Sequence, residues 1–302
     1  MKIGDNPMSV EISTIVAGAE RLGEGAVWDT EDQRLWWVDI TGGLIHCYNP
    51  EDKSNQSFAF GEPVGCIARR EHGGLVVAAK SGFWFFDPHT GQKRHIIDPE
   101  KDLPENRFND GTVDPAGRFW AGTMKDGGEP KQQGKFYLLD TDLKLTEMDK
   151  LFYTTNGLAF SPNGDTIYFS DSNKLTRTIW SCTYDRATGL TGKAKTFFDT
   201  RQVNGRPDGG TVDAEGCYWM AGVSGWQIYR ISPEGELLFT LDVPVEKPTK
   251  PMFGSKNLDI LYLTSIGFGL TEGSEANQPD AGGLFAIKGL GVTGLRQPRF
   301  KG

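Results

Sequence analysis

The chain has 302 residues, with 32 lysines and arginines against 40 aspartates and glutamates, for a formal net charge of −8. That balance argues against a nucleic-acid partner, which needs clustered cations to displace phosphate counterions. No apolar run approaches the roughly 18 residues of a membrane span, and the N-terminal MKIGDNPMSVEIST lacks the apolar core of a secretory signal, so a cytoplasmic protein is expected.

One unit recurs along the chain: a small residue, a strand, a turn, an aromatic second strand, then a third. The first copy begins Gly25-Ala-Val-Trp-Asp, and its second strand reads Arg34-Leu-Trp-Trp-Val-Asp. Further copies begin at Gly65-Cys-Ile-Ala-Arg, Gly111-Thr-Val-Asp-Pro, Gly157-Leu-Ala-Phe-Ser, Gly210-Thr-Val-Asp-Ala and Pro251-Met-Phe-Gly-Ser, spaced 40 to 53 residues apart. Second strands recur as Thr166-Ile-Tyr-Phe-Ser-Asp and Ile260-Leu-Tyr-Leu-Thr, and third strands as Lys135-Phe-Tyr-Leu-Leu-Asp and Trp226-Gln-Ile-Tyr-Arg-Ile. Propeller blades of four strands occupy about 40–50 residues. With no sustained helical period, the six copies predict an all-β, six-bladed β-propeller over residues 1–302, and the residues that line its channel, taken next, predict a central metal site. A closed ring leaves no sheet edge needing a partner, so a monomer is expected. Trp36, Trp37 and Phe83–Phe86 are expected to form core between blades. The segments 98–109, 125–134 and 271–283 break the spacing, and long polar loops on a rigid scaffold often rim a binding site.

In such a ring the innermost strands line a channel, so residues just before each repeat start should converge on the axis. They are Glu24, Val64, Asn109-Asp110, Asn156, Asp208-Gly209 and Lys250. Four of the six blades present a carboxylate or carboxamide there, a donor set suited to a hard cation. With no histidine or cysteine nearby, the ion would be calcium, magnesium, manganese or iron, or zinc held by oxygen alone. An Asp or Asn before Gly is also an ordinary turn residue that caps its own backbone. On that ground Asp110, Asp114 and Asp213 read as turn or strand-end residues, and Asp39 and Asp171 as structural ends of second strands. The four scattered cysteines (Cys47, Cys66, Cys182, Cys217) make a disulfide framework or thiolate zinc site unlikely. The histidines (His46, His72, His89, His95) fall at blade peripheries, and no GxSxG motif occurs.

The stretches Gly23-Glu24-Gly25-Ala-Val-Trp, Arg107-Phe-Asn109-Asp-Gly111, Val113-Asp-Pro-Ala-Gly-Arg, Ala121-Gly-Thr-Met124, Asn156-Gly-Leu and Pro207-Asp208-Gly resemble the regucalcin/gluconolactonase family, the senescence-marker-protein group. With Trp37-Val-Asp39-Ile and Ala281-Gly-Gly-Leu-Phe-Ala-Ile, the resemblance runs in matching order from about Glu20 to Gly294. It implies a six-bladed propeller holding one divalent cation and opening a sugar lactone, with Glu24, Asn156 and Asp208 as metal ligands. Arg107 and Asn109 would contact the sugar. Relatives carry a Glu soon after AGTM that helps hold it. Here that stretch reads Lys125-Asp126-Gly127-Gly128-Glu129, and Asp126 is assigned to the sugar. Lys125 and Arg177, if they face the mouth, would suit a lactone bearing a second carboxylate.

The expected reaction is metal-dependent hydrolysis of an aldono- or aldaro-lactone, the metal polarising the carbonyl and Asp208 acting as base or only as ligand. Two alternatives stand beside it: a phosphotriesterase-like hydrolase using the same cation, and a non-catalytic calcium-binding propeller.

Overall fold

Short apolar runs between turns rich in Asp, Asn and Gly leave no length for helices, and strands follow. The computed structural model describes residues 9–18 and 20–302, and among these it contains 24 strands and two single-turn 3-10 helices. The strands form six four-stranded antiparallel sheets, the blades. The first strand, β1 (Glu11–Val16), belongs to the last blade. Blade 1 holds β2 (Gly23–Asp29), β3 (Arg34–Asp39), β4 (Leu44–Asn49) and β5 (Ser54–Ala59). Blade 2 holds β6 (Val64–Arg69), β7 (Leu75–Ala79), β8 (Gly82–Phe86) and β9 (Lys93–Ile97). In blade 3 come β10 (Asn106–Val113), β11 (Phe119–Lys125), β12 (Phe136–Leu139) and β13 (Leu145–Glu147). Blade 4 is β14 (Thr155–Phe160), β15 (Thr166–Asp171), β16 (Thr178–Thr183) and β17 (Lys195–Asp199). Blade 5 is β18 (Arg206–Val212), β19 (Tyr218–Val223), β20 (Gln227–Ile231) and β21 (Leu237–Asp242). Blade 6 draws β22 (Pro248–Gly254), β23 (Ile260–Ser265) and β24 (Leu284–Lys288) from one end of the chain and β1 from the other, Glu11 lying opposite Lys288.

The inner strands β2, β6, β10, β14, β18 and β22 contact one another in sequence, and β22 returns to β2 to close the ring. They are almost wholly buried, whereas the outermost strands β5, β9 and β21 are largely exposed. The apolar core is divided accordingly into six clusters, each lying between adjacent blades. Phe83, Phe108 and Phe119 pack between blades 2 and 3, and Trp28, Trp37 and Tyr262 between blades 6 and 1. Truncating one of these buried rings to Ala should cost about 3–5 kcal/mol. Trp36, Trp37, Phe83, Phe85 and Phe86 are buried, as their place in the repeat predicted, whereas Trp84 is only half-buried against the cluster between blades 1 and 2.

Turns at the lower ends of the inner strands are built by carboxylates. Asp114 Oδ1 accepts the N–H groups of Ala116 and Arg118 at 2.9 Å, and Asp213 Oδ1 accepts those of Glu215 and Cys217 at 3.0 and 2.9 Å. The chain after β24 crosses this lower face. Gly294 N–H donates to Leu258 O at 2.7 Å, Arg299 pairs with Asp29, and Phe300 is buried against Phe85 and Phe119. Among the described residues no helix is long and apolar enough to cross a membrane.

Candidate functional site

Every inner strand breaks register near its upper end, at Glu24/Val27, Val64/Cys66, Phe108/Gly111, Asn156/Ala159, Pro207/Gly210 and Pro248/Pro251. A bulge inserts an unpaired residue and re-aims side chains, here toward the axis. Gly157 shows why a glycine follows the bulged residue: its φ is +68°, and a Cβ would meet the Tyr218 hydroxyl at 2.5 Å. That hydroxyl donates to the Gly157 carbonyl at 2.7 Å and fixes the bulge from blade 5.

Three bulged residues from blades 1, 4 and 5 are brought together. Asn156 Nδ2 donates to Asp208 Oδ1 at 2.6 Å and to Ser172 Oγ at 2.8 Å, while Asn156 Oδ1 is buried with no partner. Glu24 Oε2 accepts the Gly25 N–H at 3.0 Å. Burial, then the charges of Asp208 and Asp110, push the Glu24 carboxyl well above the usual range, with Gly25 and Lys250 opposing. Burial also raises Asp208, helped by Asp110 and opposed by Arg206, Glu24 and Lys250. Two carboxylates that resist ionisation beside an amide oxygen with nothing to accept make a site short of positive charge. Among the described residues no group of three or more His, Cys, Asp and Glu side chains is placed to hold a metal. A cation here would therefore need Asn156 Oδ1 as its third protein ligand, and among the described residues that atom has no hydrogen-bond partner.

Below this trio Asp110 and Lys250 pair at 2.9 Å, both fully buried, and Asp110 Oδ2 accepts the Leu158 N–H at 3.0 Å. Asp110 is thus no turn residue. Asn109-Asp110-Gly111 has the composition of a turn, but the bulge keeps it inside β10 and aims Asp110 into the channel.

Beside the trio lies a polar array on blade 3. Arg107 is buried; its Nε donates to Asp126 Oδ1 at 3.1 Å and its Nη1 to Asn109 Oδ1 at 2.8 Å. Asn109 Nδ2 donates to Thr155 O at 2.9 Å, on the strand that carries Asn156. Segments 98–109 and 125–134 support this array: Asn106 bonds Glu100 at 2.9 Å, and Gln133 Nε2 reaches Asn106 Oδ1 at 2.6 Å. Lys125 Nζ is engaged by Glu129 O at 2.9 Å. Arg177 donates to the carbonyls of Thr200, Val203 and Gly205, so it braces a loop and is not the free cation the sequence suggested.

Sequence reasoning missed Lys250 as the partner of Asp110 and Ser172 as the support of Asn156. Ser172 lies one residue beyond the strand-ending Asp171, a recurrent position that could have signalled a place at the mouth. The opposite end of the channel holds a cavity of about 180 Å³ walled by Val113, Leu158, Val212, Met252 and Leu295. Its lining is mainly apolar, and the Lys250 ammonium that borders it is held by Asp110.

Residues 22–267 match a family described as the SMP-30/gluconolactonase/LRE-like region. The chain is 34% identical to a regucalcin of Xenopus laevis, over 97% of this chain and 99% of that one. It is also 34% identical to a 6-deoxy-6-sulfogluconolactonase of Pseudomonas putida, over 98% and 100% respectively. Among solved structures, a calcium-binding protein, regucalcin, from Agrobacterium tumefaciens superposes with a TM-score of 0.89 at 28% identity, covering 95% of this chain and 96% of that one.

Proposed function

The chain belongs to the SMP-30/gluconolactonase/LRE-like family, and from that premise we propose that it is a metal-dependent sugar lactonase. Its substrate would be an aldono- or aldaro-lactone, hydrolysed to the open sugar acid. The observation that carries this reading is Asn156 Oδ1, without a partner among the described residues, beside the buried carboxylates of Asp208 and Glu24, with a polar array of Arg107, Asn109 and Asp126 next to it. A purely structural cation site has no need of that array.

Glu24, Asn156 and Asp208 would hold one divalent cation. The all-oxygen set suits calcium, magnesium or manganese, and leaves iron and zinc as weaker candidates. When bound, the cation supplies Lewis-acid stabilisation of the lactone carbonyl oxygen. Arg107 donates to ring hydroxyls, Asp126 accepts from them, and Asn109 does either; such orientation contributes several kcal/mol. Asp208 takes a proton from the attacking water as its oxygen bonds to the carbonyl carbon. The ring carbon–oxygen bond then breaks, and the leaving oxygen takes a proton to become a hydroxyl. The products are one carboxylate, one hydroxyl and one released proton, so turnover is read directly as acid release. The relatives named as a lactonase and as calcium-binding support the two halves of this reading.

The test is lactone opening by metal-stripped protein resupplied with single cations, over gluconic, xylonic, arabinonic, galactonic and glucaric lactones. A cation-dependent rate well above spontaneous opening is expected. Silence across the panel with metal shown to be bound would move the assignment to a binding propeller.

A further inference from the structure

Nine arginines are buried or half-buried: Arg34, Arg69, Arg70, Arg107, Arg118, Arg177, Arg206, Arg230 and Arg299. Eight have oxygen partners. Arg69, Arg107, Arg118, Arg230 and Arg299 meet carboxylates, and Arg34, Arg70 and Arg177 meet carbonyl oxygens. Arg206 is the exception. Among the described residues its guanidinium has no hydrogen-bond or ion-pair partner, although the chain carries a formal charge of −8.

Its position is specific. Arg206 opens β18 two residues before Asp208, opposite Val223 of β19, on the strand next to β22. The loop leading to it is braced by Arg177, which donates to the carbonyls of Thr200, Val203 and Gly205. A second cation stands near it at the same mouth. Lys247, just before β22, is half-buried, and its ammonium donates to the carbonyls of Phe268 and Gly269 without a carboxylate partner. Burial pulls Lys247 below its ordinary value, the Arg206 charge adds to this, and Glu246 opposes it. Glu246 is itself engaged by Thr271, whose N–H lies 2.8 Å away and whose hydroxyl lies 3.0 Å away. Two neighbouring cations held half out of water without matched anions lose solvation and repel each other, a cost that an arriving anion would relieve.

We propose that Arg206 and Lys247 form an anion subsite beside the reaction centre, so that the substrate is a lactone carrying an anionic substituent such as a carboxylate or sulfonate. This rests on the lactonase reading and names its substrate class. It also moves the anion-recognising charge from Lys125 and Arg177 to blades 5 and 6, chiefly to the unpartnered Arg206, with the carbonyl-bound Lys247 as the lesser charge. The planar guanidinium suits a two-oxygen contact with either group, and Lys247 adds a point charge.

The test uses the calcium-loaded full chain and a matched pair of lactams, those of gluconic and glucaric acid, which bind like lactones but are not opened. Calorimetry of wild type should show the anionic lactam binding at least about tenfold more tightly than the neutral one, as a single new charge-assisted contact gives. In R206Q that ratio should fall to near one, R206K should restore part of it, and K247Q should reduce it by less than R206Q. Thermal unfolding of each variant confirms that it folds. A wild-type ratio near one, no binding of either lactam, or a preference that survives in both R206Q and K247Q overturns the subsite. The corresponding lactones are followed in parallel by acid release. Lactam preference without lactone opening would remove the lactonase reading and keep the anion subsite; opening without preference would do the reverse.

Discussion

The two ends of β18 hold buried carboxylates in opposite circumstances. At the lower end Asp213 accepts from the N–H groups of Glu215 and Cys217, from Trp219 Nε1 at 2.9 Å and from Arg230 Nε at 2.7 Å. At the upper end Asp208 receives the Asn156 amide at 2.6 Å and otherwise faces Glu24, with the Arg206 and Lys250 charges at a distance. On β10 both ends are matched: Asp114 by Arg118 and Tyr184 at the lower end, and Asp110 by Lys250 and the Leu158 N–H in the channel. Burial alone therefore does not mark a functional carboxylate in this ring. What marks it is burial without enough donors, the state of Glu24 and Asp208 and not of Asp110.

The strongest challenge to that contrast is the upper end itself. D208N keeps an oxygen for a cation and removes the proposed base, so kcat for lactone opening should fall about a thousandfold, within the range attributed to a positioned general base. Calcium affinity, followed by calorimetry, should weaken far less. Turnover near the wild-type rate would leave Asp208 as a ligand only. At the lower end D213A strands the Arg230 guanidinium and the Trp219 N–H, and should cost about 3–5 kcal/mol in denaturant unfolding. The folded fraction should keep its wild-type kcat; a matching loss of kcat would erase the division between the two ends.

A third region separates titration from both. His46 on β4 is buried, stacked on Trp37 with ring centroids 5.0 Å apart, and burial pulls it to about 4 against the opposing Asp39 charge. An unfolded histidine titrates near 6.5, so across that interval the unfolded chain binds more protons. The stability contributed by the neutral ring is complete above about pH 6.5 and is lost as the pH falls toward 4, by at most about 3 kcal/mol. H46Q should flatten that part of the stability profile, measured as the difference from wild type in urea midpoints. A slope unchanged by H46Q would assign it to other groups. The smallest effect should come from the cation: calcium at a hundredfold excess over its Kd should add about 2.7 kcal/mol to stability. Excess chelator should remove it, E24Q should reduce it by removing one ligand charge, and D213A should retain it.

The blades were legible because each copy repeats its own turn and aromatic second strand within a few residues, as in Asp114–Gly117 followed by Phe119-Trp120. That Glu24, Asn156 and Asp208 come together on the axis was legible because one register recurs in several copies. Two things were not. The pairing of β1 with β24 joins Ser13 to Ala286 across 273 residues, and no local pattern encodes it. Its only trace was that the copy starting at Pro251 is one strand short, while the stretch before Gly25 belonged to no copy. The Asp110–Lys250 pair spans 140 residues and hides behind a turn-like Asn-Asp-Gly triplet. Arg206 could not be singled out in sequence either, since lacking a partner is a property only of the folded chain.

The composite sixth blade has a consequence for synthesis. At about 5–20 residues per second, β1 would leave the ribosome roughly 15–55 s before β24. Through that interval blades 1 to 5 can assemble in order, but the ring cannot be sealed, and β1 waits as a free strand with no template. Its sequence, EISTIV, places Glu11, Ser13 and Thr14 among its apolar residues. Such polar interruptions discourage adventitious strand pairing while the nascent chain is incomplete.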